Sequence, residues 1–179
     1  MNRGVRDLVI AHGGKSLWDD VRQRAGVDTD DFSSMAAYDD AVTMALVAAA
    51  SDIMDTPADD LLRQFGHHWV QFTGKEGYGP LMDLSGDSMV EFLLNLDQMH
   101  ARIKMSMPEL NPPQFSCEQG NDDSITVEYY SDRDGLAAMV IGLFEGLAQR
   151  FGEQAIVKHV SAKSGPDVPD VFEIEVKAA

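Results

Sequence analysis

Cysteine is nearly missing from this chain: Cys117 is the single one in 179 residues. One thiol can build neither an internal disulfide framework nor a cysteine-rich zinc cage, and such usage fits a reducing cytoplasm. Long apolar runs are missing too. The run Leu8 to Ala11 stops at His12-Gly13-Gly14, short of a signal-peptide core, and Met44 to Ala50 is far below spanning length, so no membrane insertion is expected. Positive charge is scarce, with 14 Lys and Arg against 30 Asp and Glu and a formal net charge of −16. That balance repels phosphate backbones and anionic lipid heads, which argues against nucleic acid and membranes as partners. Internal repeats and low-complexity tracts are absent as well.

What is present is apolar content of 44%, enough for one well-filled core, and the chain reads as a single domain over residues 1–179. Apolar spacing predicts helical segments from Val5 to Arg24, broken near Gly13-Gly14 and stopped at Gly26. The stretch from Asp28 to Ser34 reads as loop, followed by a helix from about Ala36 to Met54. Thr56-Pro57 opens the next helix, with Pro57 at its first position and Asp60 near the positive end of its dipole. Beyond the glycine-rich segment Gly74 to Gly79, Ser85, Gly86 and Asp87 open what reads as the longest helix, running through His100 and ended by Pro108.

After Pro112-Pro113 the grammar changes. Phe115 to Glu118 and Ile125 to Ser131 read as strands of a hairpin, Gly135 to Phe151 as an apolar helix, and Ala155 to Ser161 and Val171 to Val176 as further strands. The architecture is therefore α+β: a helical subdomain over about 1–108, then a small antiparallel sheet interrupted by one helix over about 109–179.

Two features carry chemistry. On the long helix, Met89, Leu93, Leu96, His100, Ile103 and Met107 recur at steps of four and three, placing His100 in an apolar stripe. A buried imidazole needs a partner, since dry unpaired nitrogens cost roughly 1–3 kcal/mol. A backbone carbonyl would satisfy it, and so would a metal, including haem iron. The second feature is Tyr129-Tyr130-Ser131-Asp132-Arg133, where alternation sets Tyr129, Ser131 and Arg133 on one side. A phenol, a hydroxyl and a planar guanidinium fork suit a carboxylate. An ordinary strand end, with Arg133 paired to a surface carboxylate, fits the same string.

Taken together, a helical inward His, a proline-containing stretch, Tyr-x-Ser-x-Arg at a strand end and a following apolar helix resemble the haem nitric oxide/oxygen-binding (H-NOX) family. The likeness extends to Tyr38-Asp39-Asp40, Phe65-Gly66 with Trp69 beyond, and Gly142-Leu143-Phe144-Glu145-Gly146, and so covers nearly the whole chain. It implies a haem b (iron protoporphyrin IX) cofactor with His100 as the proximal iron ligand. It further implies Tyr129, Ser131 and Arg133 as propionate binders and Pro113 as the residue that presses on the porphyrin. The implied activity is gas sensing, with nitric oxide as ligand and a separate histidine kinase or cyclic-dinucleotide enzyme as partner, not catalysis. Relatives usually begin with a few more residues ahead of the first helix, whereas Met1-Asn2-Arg3-Gly4-Val5 enters it late.

Rival readings are a cofactor-free interaction module of the same fold, a peroxidase-type haem enzyme and an oxygen-binding haem protein. Peroxide chemistry wants a distal acid-base pair, and stable oxygen binding wants a nearby donor. The helix Gly135 to Phe144 offers no side chain for either. Adjacent His67-His68 diverge on a helix, the Gly74 to Gly79 segment lacks the strand-to-helix setting of a phosphate turn, and the methionines read as core filler.

Overall fold

The computed structural model describes residues 1–30, 32, 38–73, 78–108, 111–120, 124–165 and 167–178. Its first helix, α1 (Asn2–Arg24), bends at Gly14, whose φ of 74° is open to glycine at no steric cost. The break expected at Gly13-Gly14 is thus a kink within one element of 23 residues, which makes α1, and not the His100 helix, the longest. Helix α2 (Asp40–Met54) is capped by the Asp39 carboxylate, which accepts the Ala41 N–H at 2.9 Å. The expected start at Ala36 lies outside the described residues.

Helix α3 (Ala58–Thr73) follows Pro57, whose carbonyl accepts the Leu61 N–H, so the proline sits one residue ahead of the helix instead of inside it. A short helix, α4 (Gly79–Asp83), was not expected. The 18-residue α5 (Met89–Ser106) is capped by Ser88, not by Ser85 to Asp87: Ser88 Oγ accepts the Glu91 N–H, and Glu91 accepts the Asp87 N–H in return. Glu153, from the far end of the chain, accepts the Met89 N–H at 3.0 Å.

Strands β1 (Gln114–Gln119), β2 (Ser124–Tyr130), β3 (Glu153–Ser161) and β4 (Asp170–Ala178) form one antiparallel sheet in the order β1-β2-β4-β3, with α6 (Ala137–Arg150) between β2 and β3. One face of the sheet is covered. Phe115, Ile125, Val127, Tyr129, Phe172 and Ile174 pack there against Phe92, Leu93 and Leu96 of α5 and Val140, Phe144 and Leu147 of α6. A second cluster joins Val5, Val9, Trp18 and Val21 of α1 to Leu46 and Val47 of α2 and Leu61, Leu62 and Phe65 of α3. Leu136 and Met139, at the start of α6, belong to that cluster, so α6 has one end in each core.

Three glycines let α3 and α6 touch backbone to backbone. A Cβ at Gly66 would strike the Met139 carbonyl, one at Gly142 the Arg63 carbonyl, and one at Gly146 would lie 2.8 Å from the His67 carbonyl oxygen. No helix among the described residues is long and apolar enough to cross a membrane.

Candidate functional site

The predicted stripe on α5 is buried at Met89, Leu93 and Leu96 and half-buried at His100, Ile103 and Met107. Phe92 and Met99 are buried beside it and were not singled out by the spacing. His100 therefore sits where the helix emerges from the core. Its Nδ1 lies 3.1 Å from the carbonyl oxygen of Pro113, just ahead of β1. A carbonyl can only accept, so Nδ1 carries the hydrogen, and in the neutral ring Nε2 keeps a lone pair. Burial pushes the imidazole below its ordinary pKa, against the opposing pull of the Pro113 bond and the Asp97 charge, which favours that neutral form. A backbone-bonded histidine of this kind is compatible with a metal-ligating one, since the bond to Pro113 orients the ring and leaves the other nitrogen without a hydrogen bond among the described residues.

Beside it stands an aromatic ladder. The Phe115 ring lies 5.7 Å from that of His100, 5.2 Å from that of Tyr129 and 6.4 Å from that of Phe144. Phe115 and Tyr129 are cross-strand partners on β1 and β2, which fixes those two rings side by side, while His100 comes to Phe115 from α5 and Phe144 from α6. Burial raises the Tyr129 phenol, while a hydrogen bond with Ser131 and the charges of Arg133 and Lys163 pull it back.

Tyr129, Ser131 and Arg133 do not converge by strand alternation, because β2 ends at Tyr130. A turn does part of the work: Ser131 Oγ accepts the Arg133 N–H at 3.1 Å. The exposed Arg133 side chain then reaches α2, where Nε pairs with the Asp40 carboxylate at 3.0 Å and the guanidinium lies against the Met1 sulfur. Arg133 thus holds a carboxylate of the protein, as the surface-pair reading expects.

Asp40, Phe115 and Lys163 were not picked out as site residues. Asp40 was hidden in an aspartate pair, Phe115 in a strand pattern that any apolar residue would satisfy, and Lys163 in a connection without pattern.

No three His, Cys, Asp or Glu among the described residues could cage a bare metal ion. A macrocycle that already ligates its iron needs only one axial nitrogen, apolar walls and donors for its carboxylates. His100 Nε2, the Phe115 ladder and the Tyr129 to Arg133 turn fit that set. Burial also pushes the Cys117 thiol up to about 11, which keeps it in the weakly nucleophilic protonated form.

A family model described as Haem-NO-binding matches residues 1–159. The chain belongs to the Haem-NO-binding (H-NOX) family, whose domains bind haem and act as sensors. An H-NOX protein from S. oneidensis, solved in the Fe(II)NO ligation state, superposes with a TM-score of 0.87 at 18% identity, covering 98% of this chain and 96% of that one. The unliganded Fe(II) H-NOX protein from K. algicida gives a TM-score of 0.80 at 20% identity over 99% and 95% of the two chains. At such identities the likeness is one of fold. Soluble guanylate cyclase gcy-31 of Caenorhabditis elegans is 27% identical over 144 residues, which are 80% of this chain and 20% of the relative. The rat guanylate cyclase soluble subunit beta-2 is 36% identical over 91 residues, 51% of this chain and 13% of the relative. The chain therefore spans a fifth or less of these two guanylate cyclases.

Proposed function

We propose that residues 1–179 form one sensor domain for nitric oxide, with a helical part over about 1–108 and a sheet-containing part over about 109–179 around haem b. The observation that carries this reading is His100, oriented through Nδ1 with Nε2 free of any hydrogen bond to the described residues. When held by His100, ferrous haem would supply the chemistry that binds NO or CO. Tyr129, Ser131 and Arg133 would hold the propionates, the guanidinium exchanging Asp40 for a ligand carboxylate. Pro113 would orient His100 through its carbonyl and press its ring on the porphyrin.

His100, carried on α5, would couple the state of a bound haem to the position of that helix. The signal is then a population shift between two positions of α5, biased by whichever state the gas binds better. The N-terminus of α5 is pinned by Ser88, Glu91 and Glu153, whereas its His100 end is tied to the start of β1 through the Pro113 carbonyl, so that end would be the one to shift. The chain would act in the cytoplasm on a separate histidine kinase or cyclic-dinucleotide enzyme, without catalysis of its own.

One observation favours a second reading, an oxygen-binding haem protein: Asn2 Nδ2 is buried on the helical side with no partner among the described residues. Absorption spectra of the reduced protein under argon, CO, NO and air decide between the two. The NO reading expects spectral changes with NO and CO and none that persists in air. A stable oxygenated spectrum supports the second reading, and failure to take up haem leaves the cofactor-free module.

A further inference from the structure

Lys163 lies beyond residues 1–159 that the family model matches, yet it is built into the turn that follows Tyr129. Its side chain is only 14% exposed, although lysine normally keeps its ammonium in water. Nζ donates to the Ser131 carbonyl at 2.6 Å and pairs with the Asp134 carboxylate at 2.8 Å. The two contacts bracket Arg133, one residue group on each side of it. The lysine backbone is fixed in turn, because its N–H donates to Asp170 Oδ1 at 3.0 Å.

Asp170 is buried, stands opposite Tyr129 in the β2–β4 register, and also bonds His159 Nε2 at 2.8 Å. The His159 ring stacks on Phe172, with centroids 4.8 Å apart and planes at 22°. Phe172 is fully buried, so the chain of contacts runs from the sheet core through His159, Asp170 and Lys163 to the backbone of Ser131.

We infer that Lys163 is a positioning residue for the carboxylate-binding turn Tyr129 to Arg133, holding Ser131 and Asp134 so that Arg133 faces its anion, and that it adds a second, sheltered cation beside that seat. Apart from the Ser131 hydroxyl bond, residues 131–133 are tied down through the exposed pairs Asn111–Asp132 and Arg133–Asp40, so a largely buried anchor on the Ser131 carbonyl orders the backbone beforehand and removes a cost from anion binding. The inference rests on the reading of Tyr129, Ser131 and Arg133 as propionate binders.

The test compares iron protoporphyrin IX with its dimethyl ester, which has the same macrocycle and no carboxylate. Haem transfer to an apo-globin acceptor is timed for wild type, Arg133→Ala, Lys163→Met and Lys163→Arg, beside the melting temperature of each apo-protein. Lys163→Met should release the free-acid haem several-fold faster, leave the ester unaffected, and be rescued in large part by Lys163→Arg. Should Lys163→Met fold poorly, Lys163→Gln removes the charge while keeping a donor, and the same contrast is expected. Equal acceleration of acid and ester would mean that Lys163 supports only the fold, and would overturn the inference. So would an effect of Arg133→Ala on the acid alone with none from Lys163, an outcome that leaves the propionate reading intact. If Arg133→Ala also fails to separate acid from ester, the propionate reading itself falls and takes the inference with it.

Discussion

The two cores of this molecule are built differently. The sheet-side core carries Tyr129 and the ladder of Phe115, Phe144 and Phe172, with His100 and Cys117 at its edge. The helix-side core is mostly aliphatic, filled by Val5, Val9, Val21, Leu46, Leu61 and Leu62 around Trp18 and Phe65. A small cavity among α1, α2 and α3, lined by Val5, Val9, Val47, Leu61 and Phe65 together with His12, is almost wholly apolar. The contrast teaches a division of labour. Phe115 and Tyr129 lie where strands fix their register, with His100 beside them on α5, while the helix-side core is mostly aliphatic bulk around a buried Asn2–Thr43 hydrogen bond. Helix α6 serves both, and its glycines join it to α3.

The largest way to break the comparison is Trp18→Ala. Trp18 is fully buried, and its Nε1 donates to Asp30 at 2.9 Å. Truncation should cost about 3–5 kcal/mol. If α6 ties the cores into one cooperative unit, denaturant curves followed by far-ultraviolet dichroism and by tyrosine fluorescence will stay superimposed. Separate curves would mean that the sheet side stands alone.

Gly142→Ala attacks the joint itself. The new methyl would strike the Arg63 carbonyl, backbone against backbone, so overpacking of about 1–3 kcal/mol or more is expected in a chemical melt. The control is Gly152→Ala, where nothing lies within 4 Å but φ is +68°, so the cost there is backbone strain alone. A milder loss at 142 than at 152 would contradict the close α3–α6 contact.

Met139→Tyr sharpens the contrast by placing a donor in the helix-side wall. Met139 is buried there, and bound oxygen gains from a nearby hydrogen bond more than NO or CO does. The reduced variant should retain oxygen in air longer than wild type. An unchanged spectrum would mean that residue 139 does not face the gas.

The smallest effect belongs to Cys117. With its thiol raised to about 11, alkylation by iodoacetamide at pH 8 should be far slower in the native protein than in denaturant. Equal rates would show that the edge of the sheet-side core is open.

How much of this was legible beforehand depended on what each feature needs. Periodicity placed His100 in its stripe, and β-rich runs located all four strands, because both patterns are local. The chain of absences, one cysteine and few cations, also stood in plain sight. Helix starts were less legible: Ser88 wins over Ser85 because Glu91 is three residues beyond it, a pairing that the apolar pattern does not display. Arg133 was aimed by alternation along a strand that had already ended, and the Ser131 turn sent it to Asp40 instead. Lys163 and Glu153 were invisible because their partners lie 32 and 64 residues away. The family's glycines, met first as a resemblance, have a physical reason in the α3–α6 contact.

The central claim, that His100 holds the cofactor iron, is tested most directly by His100→Gly. The glycine variant should lose the five-coordinate ferrous absorption spectrum of the wild type, and free imidazole, filling the vacated space, should restore it. An unaltered ferrous spectrum without imidazole would contradict the account and turn attention to His12, His67, His68 and His159.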